Sequence, residues 1–119
     1  MKFLWTTIDV LDLDESVRFY EEIVGLSVSR RVTGGPSQIA FMGEGETKVE
    51  LITHEGAVPG AVGSGISIGF AVADLDEKIA FLQEKGVAIT EGPFAPNPSV
   101  RFCYVRDPNG VRVQFVEER

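Results

Sequence analysis

The chain has 119 residues, 44% of them hydrophobic and 24% charged, and a formal net charge of −7. That length fits one compact domain, and the hydrophobic share can fill a core, which argues against disorder. The acidic balance argues against nucleic acid, whose phosphates draw basic surfaces, and favours a cationic ligand, although most of it reads as solvated surface. The single cysteine, Cys103, has no internal disulfide partner, which suits a reducing cytoplasm. Within VRFCYV it reads as a buried, inert thiol. No apolar run approaches the ~20 residues of a spanning helix, and the N-terminus lacks the pattern of a signal peptide. A cytoplasmic protein without membrane contact is expected.

Leu4, Ile8 and Val10 mark a first strand by alternation. DLDESVRFYEE (12–22) follows as a helix, with Asp12 or Asp14 as its N-cap and Glu15 placed where the helix dipole favours negative charge. Leu13, Val17, Tyr20 and Val24 share one helical face, and Gly25 closes the helix. Three short strands are predicted at 27–32, 38–42 and 47–53, the last two joined by the turn GEGE (43–46). GAVPGAVGSG (56–65) reads as a linker.

The plan then repeats. Ile66, Ile68, Phe70 and Val72 mark a strand, and DLDEKIAFLQE (74–84) a helix capped by Asp74 or Asp76, with Leu75, Ile79 and Leu82 inward and Gly86 at its end. Strands are predicted at 87–91, 100–105 and 111–117, with DPNG (107–110) as the last turn. Between them GPFAPNPSV (92–100) reads as a stiffened loop over one end of a cleft, with a lid as the alternative. Val10–Glu22 and Val72–Glu84 align at an offset of 62, and KVELI (48–52) matches RVQFV (112–116) at an offset of 64. Two βαβββ modules in one α+β domain are therefore expected: module one over about 1–55 and module two over about 66–119.

The paired βαβββ pattern, DLDESVRFYEEIVGL after the first strand and DPNGVRVQF near the end together resemble the vicinal oxygen chelate superfamily. That group includes glyoxalase I, extradiol dioxygenases and bleomycin-resistance proteins. The resemblance covers essentially the whole chain. It implies a curved mixed sheet around a central cleft with pseudo-twofold symmetry, and pairing of two chains into a homodimer. It is specific for fold and weak for reaction.

Strand parity selects the cleft residues. If Leu4, Ile8 and Val10 meet the helix, Phe3, Trp5, Thr7 and Asp9 face the other way. By the same rule Gly65, Ser67, Gly69 and Ala71 lie opposite the second core strand. Lys48, Glu50 and Ile52, and Arg112, Gln114 and Val116, turn to the same concave side. The offsets pair Trp5 with Ser67 and Glu50 with Gln114. The resemblance to glyoxalase I implies metal ligands at these four positions, yet only Glu50 is a strong one. The Trp5 indole nitrogen only donates, and Ser67 and Gln114 offer neutral oxygens with little preference for transition metals. The donor set favours no resident cofactor, with a divalent ion held weakly through Glu50 as the disfavoured alternative.

Glu50 is the candidate catalytic base, its pKa raised by burial against Trp5, or else a structural carboxylate neutralised by Lys48, Arg112 or Arg101. Arg112 and Arg101 are the candidates for stabilising an enolate oxygen. Trp5, Thr7, Ser67, Gln114 and Arg112 are the candidate ligand-binding residues. His54, the only histidine, lies about 13 Å along the strand from Glu50 and reads as an exposed strand-end residue. Three functions stay open: a metal-free small-molecule-binding protein, a lyase or isomerase using Glu50, and a subunit without a ligand of its own.

Overall fold

A computed structural model describes residues 1–56, 63 and 65–119. The chain divides into two compact units, Met1–Ala61 and Val62–Arg119. The linker expected over 56–65 lies, apart from Gly56, Gly63 and Gly65, outside the described residues.

Module one runs β1 (Trp5–Asp9), α1 (Leu13–Arg18) continued by a π-helical turn (Phe19–Val24), β2 (Val28–Val32), β3 (Ser37–Met42) and β4 (Lys48–His54). Its sheet has the order β1-β4-β3-β2, with β1 parallel to β4 and the other neighbours antiparallel. Module two repeats this with β5 (Ser67–Ala71), α2 (Leu75–Glu84), β6 (Glu91–Asn97), β7 (Val100–Arg106) and β8 (Arg112–Glu118) in the order β5-β8-β7-β6. Both modules are therefore βαβββ units built on a mixed four-stranded sheet. Among the described residues, no helix is long and apolar enough to cross a membrane.

The doubled phrase builds the same helix start twice. Asp12 and Asp74 are the N-caps, each in extended conformation, and each accepts from the backbone N–H three residues on, Glu15 at 3.0 Å and Glu77 at 3.1 Å. That bond satisfies one of the donors that every helix start leaves over. The ends differ. One residue more separates Asp12 from Gly25 than separates Asp74 from Gly86, and the extra residue is taken up by the π-helical turn, where Gly25 and Leu26 both donate to the Tyr20 carbonyl, at 3.1 and 2.8 Å. A wider i→i+5 turn accommodates one more residue before the chain must leave the sheet.

Each helix covers one face of its sheet. Ile8, Val10, Leu13, Val17, Tyr20, Met42, Val49 and Leu51 form the core of module one, and Leu75, Leu82, Cys103, Val105, Val113 and Phe115 that of module two. Burying an aliphatic or aromatic side chain of this kind contributes about 1.5–3 kcal/mol. Two expected core residues fall outside: Leu4 is 52% and Ile66 72% exposed, because each precedes the first paired residue of its strand. Lys78, on the inner side of α2, holds its ammonium 4.6 Å from the Phe115 ring centroid and 4.8 Å from that of Phe81. Burial pushes its pKa down, and burial pushes the Cys103 thiol up.

Two further expectations change. GPFAPNPSV is not a free loop. Most of it is β6, paired to β7 through Glu91–Tyr104, Phe94–Phe102 and Asn97–Val100, with register shifts between them and a cis Gly92–Pro93 bond. As an edge strand it tolerates Pro93 and Pro96, whose missing N–H groups cost no ladder bond on the open side. The strand predicted at 87–91 is thus displaced to 91–97. Arg101 does not join the face with Arg112. It bonds Asp76 at 3.2 and 3.3 Å and Glu117 at 3.2 and 3.4 Å. Glu117, itself buried, also accepts from the Leu75 backbone N–H at 2.8 Å and from Arg119 at 2.7 Å. These donors, Arg101 first, hold the Glu117 carboxyl down at about 2. The network ties the last strand to the start of α2 and has a structural task.

Candidate functional site

The face of each sheet turned away from its helix carries the candidate residues. In module one the register sets Trp5 beside Lys48, Thr7 beside Glu50, Glu50 beside Phe41, and Phe41 beside Arg30. Side-chain contacts confirm that these residues share a face. The Thr7 hydroxyl donates to Glu50 Oε1 at 2.6 Å. The Trp5 and Phe41 rings meet edge to face across β4, with centroids 5.3 Å apart. The Arg30 guanidinium lies 4.9 Å from the Phe41 centroid on that ring's face. Trp5 remains 45% exposed, Phe41 is buried and Glu50 is half-buried.

No Lys, Arg or His pairs with Glu50 among the described residues. Lys48 Nζ donates instead to the Gly45 carbonyl of its own hairpin. Arg112 and Arg101, weighed as partners of Glu50, are each bound to acids of module two. Asp9 has His54 at 3.8 Å, with both exposed, and His54 is the last residue of β4, as expected.

Module two presents the corresponding row as Gly69, Gln114, Tyr104 and Glu91, with Ser67 beside Arg112 one step away. Its chemistry is different. Gln114 Nε2 donates to the Tyr104 hydroxyl at 2.9 Å. Arg112 grips Glu91 with two bonds, of 2.6 and 2.8 Å, while its guanidinium carbon lies 4.0 Å from the Tyr104 ring centroid. That guanidinium holds the Glu91 carboxyl below the usual carboxylate range, and the pairing raises Arg112 in turn. Gly69 makes this row compact: a Cβ there would stand 3.0 Å from Gln114 Oε1. Phe102 and Phe94 extend the aromatic surface beyond Tyr104, at centroid spacings of 5.8 and 5.6 Å.

The candidates therefore fall into two sets: Trp5, Thr7 and Glu50 meet on module one, and Ser67, Gln114 and Arg112 on module two. Sequence reasoning missed Phe41, Arg30, Tyr104 and Glu91, which complete the two rows. Parity in the third strand of each module was the available signal, and it is weak where IAFM and FCYV are apolar at every position.

Three of the four positions carry no strong ligand for a transition metal. The Trp5 indole has no lone pair to give, and the Gln114 side chain is oriented by its bond to Tyr104. Glu50 is the one anionic ligand of the four. Among the described residues, no group of three or more His, Cys, Asp and Glu converges as a metal site would require.

The model of the Glyoxalase/Bleomycin resistance protein/Dioxygenase superfamily matches residues 2–115. A probable lactoylglutathione lyase of Synechocystis sp. is 30% identical, over 98% of this chain and 95% of its own. The trypanothione-dependent glyoxalase I of Leishmania major superposes with a TM-score of 0.85 at 26% identity, covering 99% of this chain and 87% of that one. TnmS3, an antibiotic binding protein from Streptomyces sp. CB03234, shares the fold with a TM-score of 0.80 at 23% identity, over 100% and 97% of the two chains. With its repeat, its two βαβββ units and a family match spanning nearly its full length, the chain belongs to the Glyoxalase/Bleomycin resistance protein/Dioxygenase superfamily.

Proposed function

We propose that this protein binds a small organic molecule on the sheet faces turned away from its helices, without a tightly bound transition metal. The observation that carries the reading is the donor set: of Trp5, Glu50, Ser67 and Gln114, one residue alone is a strong metal ligand. What stands there instead suits an organic ligand: each module's face carries aromatic rings, Trp5 and Phe41 on one and Tyr104 and Phe102 on the other, with a few oriented polar groups. Protein purified without chelator is expected to carry no stoichiometric transition metal, and added divalent ions are expected to leave its melting temperature unchanged. A bound metal with clear thermal stabilisation overturns the reading. Trp5, the only tryptophan, reports occupancy directly through its fluorescence.

A second reading, a lyase or isomerase with Glu50 as general base, is favoured by the Thr7 hydroxyl that orients a single carboxylate at 2.6 Å. The kinship with a probable lactoylglutathione lyase supports it too. Its test is formation of lactoylglutathione by wild type and by Glu50→Gln. Turnover in the wild type that is lost in the variant carries this reading; equal background in both sinks it. We also infer a homodimer, supported by the exposed apolar residues Phe3 and Leu4, and a cytoplasmic location, which suits the single cysteine. Sedimentation of a monomer at micromolar concentration would overturn the dimer.

A further inference from the structure

Among the described residues, Glu50 has no Lys, Arg or His partner. The carboxylate is half-buried and accepts from a neutral hydroxyl, that of Thr7 at 2.6 Å. Asp9, two residues beyond Thr7 on β1, has His54 at 3.8 Å. The nearby cations are engaged elsewhere, Lys48 on the Gly45 carbonyl and Arg30 on the face of Phe41. Beside Glu50, the Trp5 and Phe41 rings meet across β4. An aromatic face attracts cations through its quadrupole, and a carboxylate does so through its charge, so both features select one kind of partner. A bare metal ion would gain little from the rings, and an anion would be repelled.

The repeat supplies an internal comparison. In module two the position of Glu50 is neutral Gln114, and the acid of that row, Glu91, is held by two bonds from Arg112. One face has an open charge and its duplicate does not. We infer that the module-one face is a subsite for an organic cation, an ammonium or amidinium group on an apolar body, with Glu50 taking the charge and the exposed Trp5 ring, braced by Phe41, the body. The inference rests on the small-molecule reading above and adds the chemical class of ligand.

Three probes with one skeleton test it: 3-phenylpropylammonium, 3-phenylpropanamide and 3-phenylpropanoate, titrated at equal ionic strength and followed by Trp5 fluorescence. The ammonium is expected to bind on the order of tenfold tighter than the amide, with the carboxylate weakest. Glu50→Gln should bring the ammonium down to the level of the amide, while Glu50→Asp keeps the order. The melting temperature of each variant establishes that it is folded. Equal binding of ammonium and amide by wild type, a preference that survives Glu50→Gln, or no binding of any probe overturns the inference. A thermal-shift screen of neutral and anionic compounds, run alongside, separates the two levels. Hits in that screen, together with no ammonium preference among the three probes, leave the small-molecule reading standing and remove the cation subsite; no hits of any charge remove both.

Discussion

The bond between Gln114 and Tyr104 decides whether the module-two face is as ordered as its geometry indicates. Gln114 Nε2 donates to the Tyr104 hydroxyl at 2.9 Å, on a ring that is only 9% exposed. Tyr104→Phe keeps the ring, its edge contact with Phe102 and the Arg112 guanidinium stacked on it, and removes the acceptor alone. A typical intramolecular hydrogen bond contributes about 1 kcal/mol net. Gln114 is half-buried, so its freed amide regains part of its hydration and the full cost of an unsatisfied buried group does not apply. Gln114→Leu removes the donor at similar volume, again for about 1 kcal/mol. Once either partner is gone the bond is gone, so the double variant should lose about 1 kcal/mol in all rather than twice that, a coupling of about 1 kcal/mol. In thermal terms each variant should melt roughly 4 °C lower. Urea unfolding with unchanged m-values reads the four corners of the cycle. Additivity within about 0.3 kcal/mol would show that the bond is absent in solution, and the oriented Gln114 with it.

Glu117 predicts a pH dependence. Its folded pKa, about 2, lies below the ordinary 4.5, so its contribution is fully present above pH 4.5 and is lost as the pH falls through about 2. Glu117→Gln should lower stability at pH 7 and flatten the acid limb of the stability curve; an unchanged limb would mean that the Arg101 network does not form. Leu51→Ala, at a fully buried site on the central strand β4, is expected to cost about 2–5 kcal/mol; a loss below about 1 kcal/mol in chemical denaturation would contradict the packing of β4 against α1. Cys103 is fully buried and burial raises its pKa, so a thiol reagent should label native protein only as fast as it opens. Rapid stoichiometric labelling of folded protein would refute that.

Much of the fold was legible because local and global signals agree. The Asp caps, the spacing of Leu13, Val17 and Tyr20, and the glycines Gly25 and Gly86 each point to the same helix limits that tertiary packing selects. Two features escaped for physical reasons. The π-helical turn differs from an α-helix by one residue in bond register, and Phe19–Val24 has no composition that marks it. In β6, Pro93 and Pro96 read as loop, yet an edge strand needs ladder bonds on one side only, and the register shifts absorb the rest.

The site was legible where polar and apolar residues alternate and hidden where they do not. β1, β4, β5 and β8 alternate, so Trp5, Thr7, Glu50, Ser67, Gln114 and Arg112 could be assigned to one face of their strands. β3 and β7 are apolar throughout their inner halves, and Phe41 and Tyr104 were lost there. Charge was harder still. Arg101 and Arg112 look alike in sequence, but strand register sends one to Glu117 and the other to Glu91, acids 16 and 21 residues away. The repeat copies the backbone row and alters its electrostatics: Glu50 answers to Gln114, and Arg30 to Glu91. Two equal scaffolds therefore present unequal faces, one with a carboxylate that has no counter-cation among the described residues and one whose acid is paired with Arg112. That asymmetry predicts that Glu50→Gln abolishes the preference for an ammonium over an amide probe.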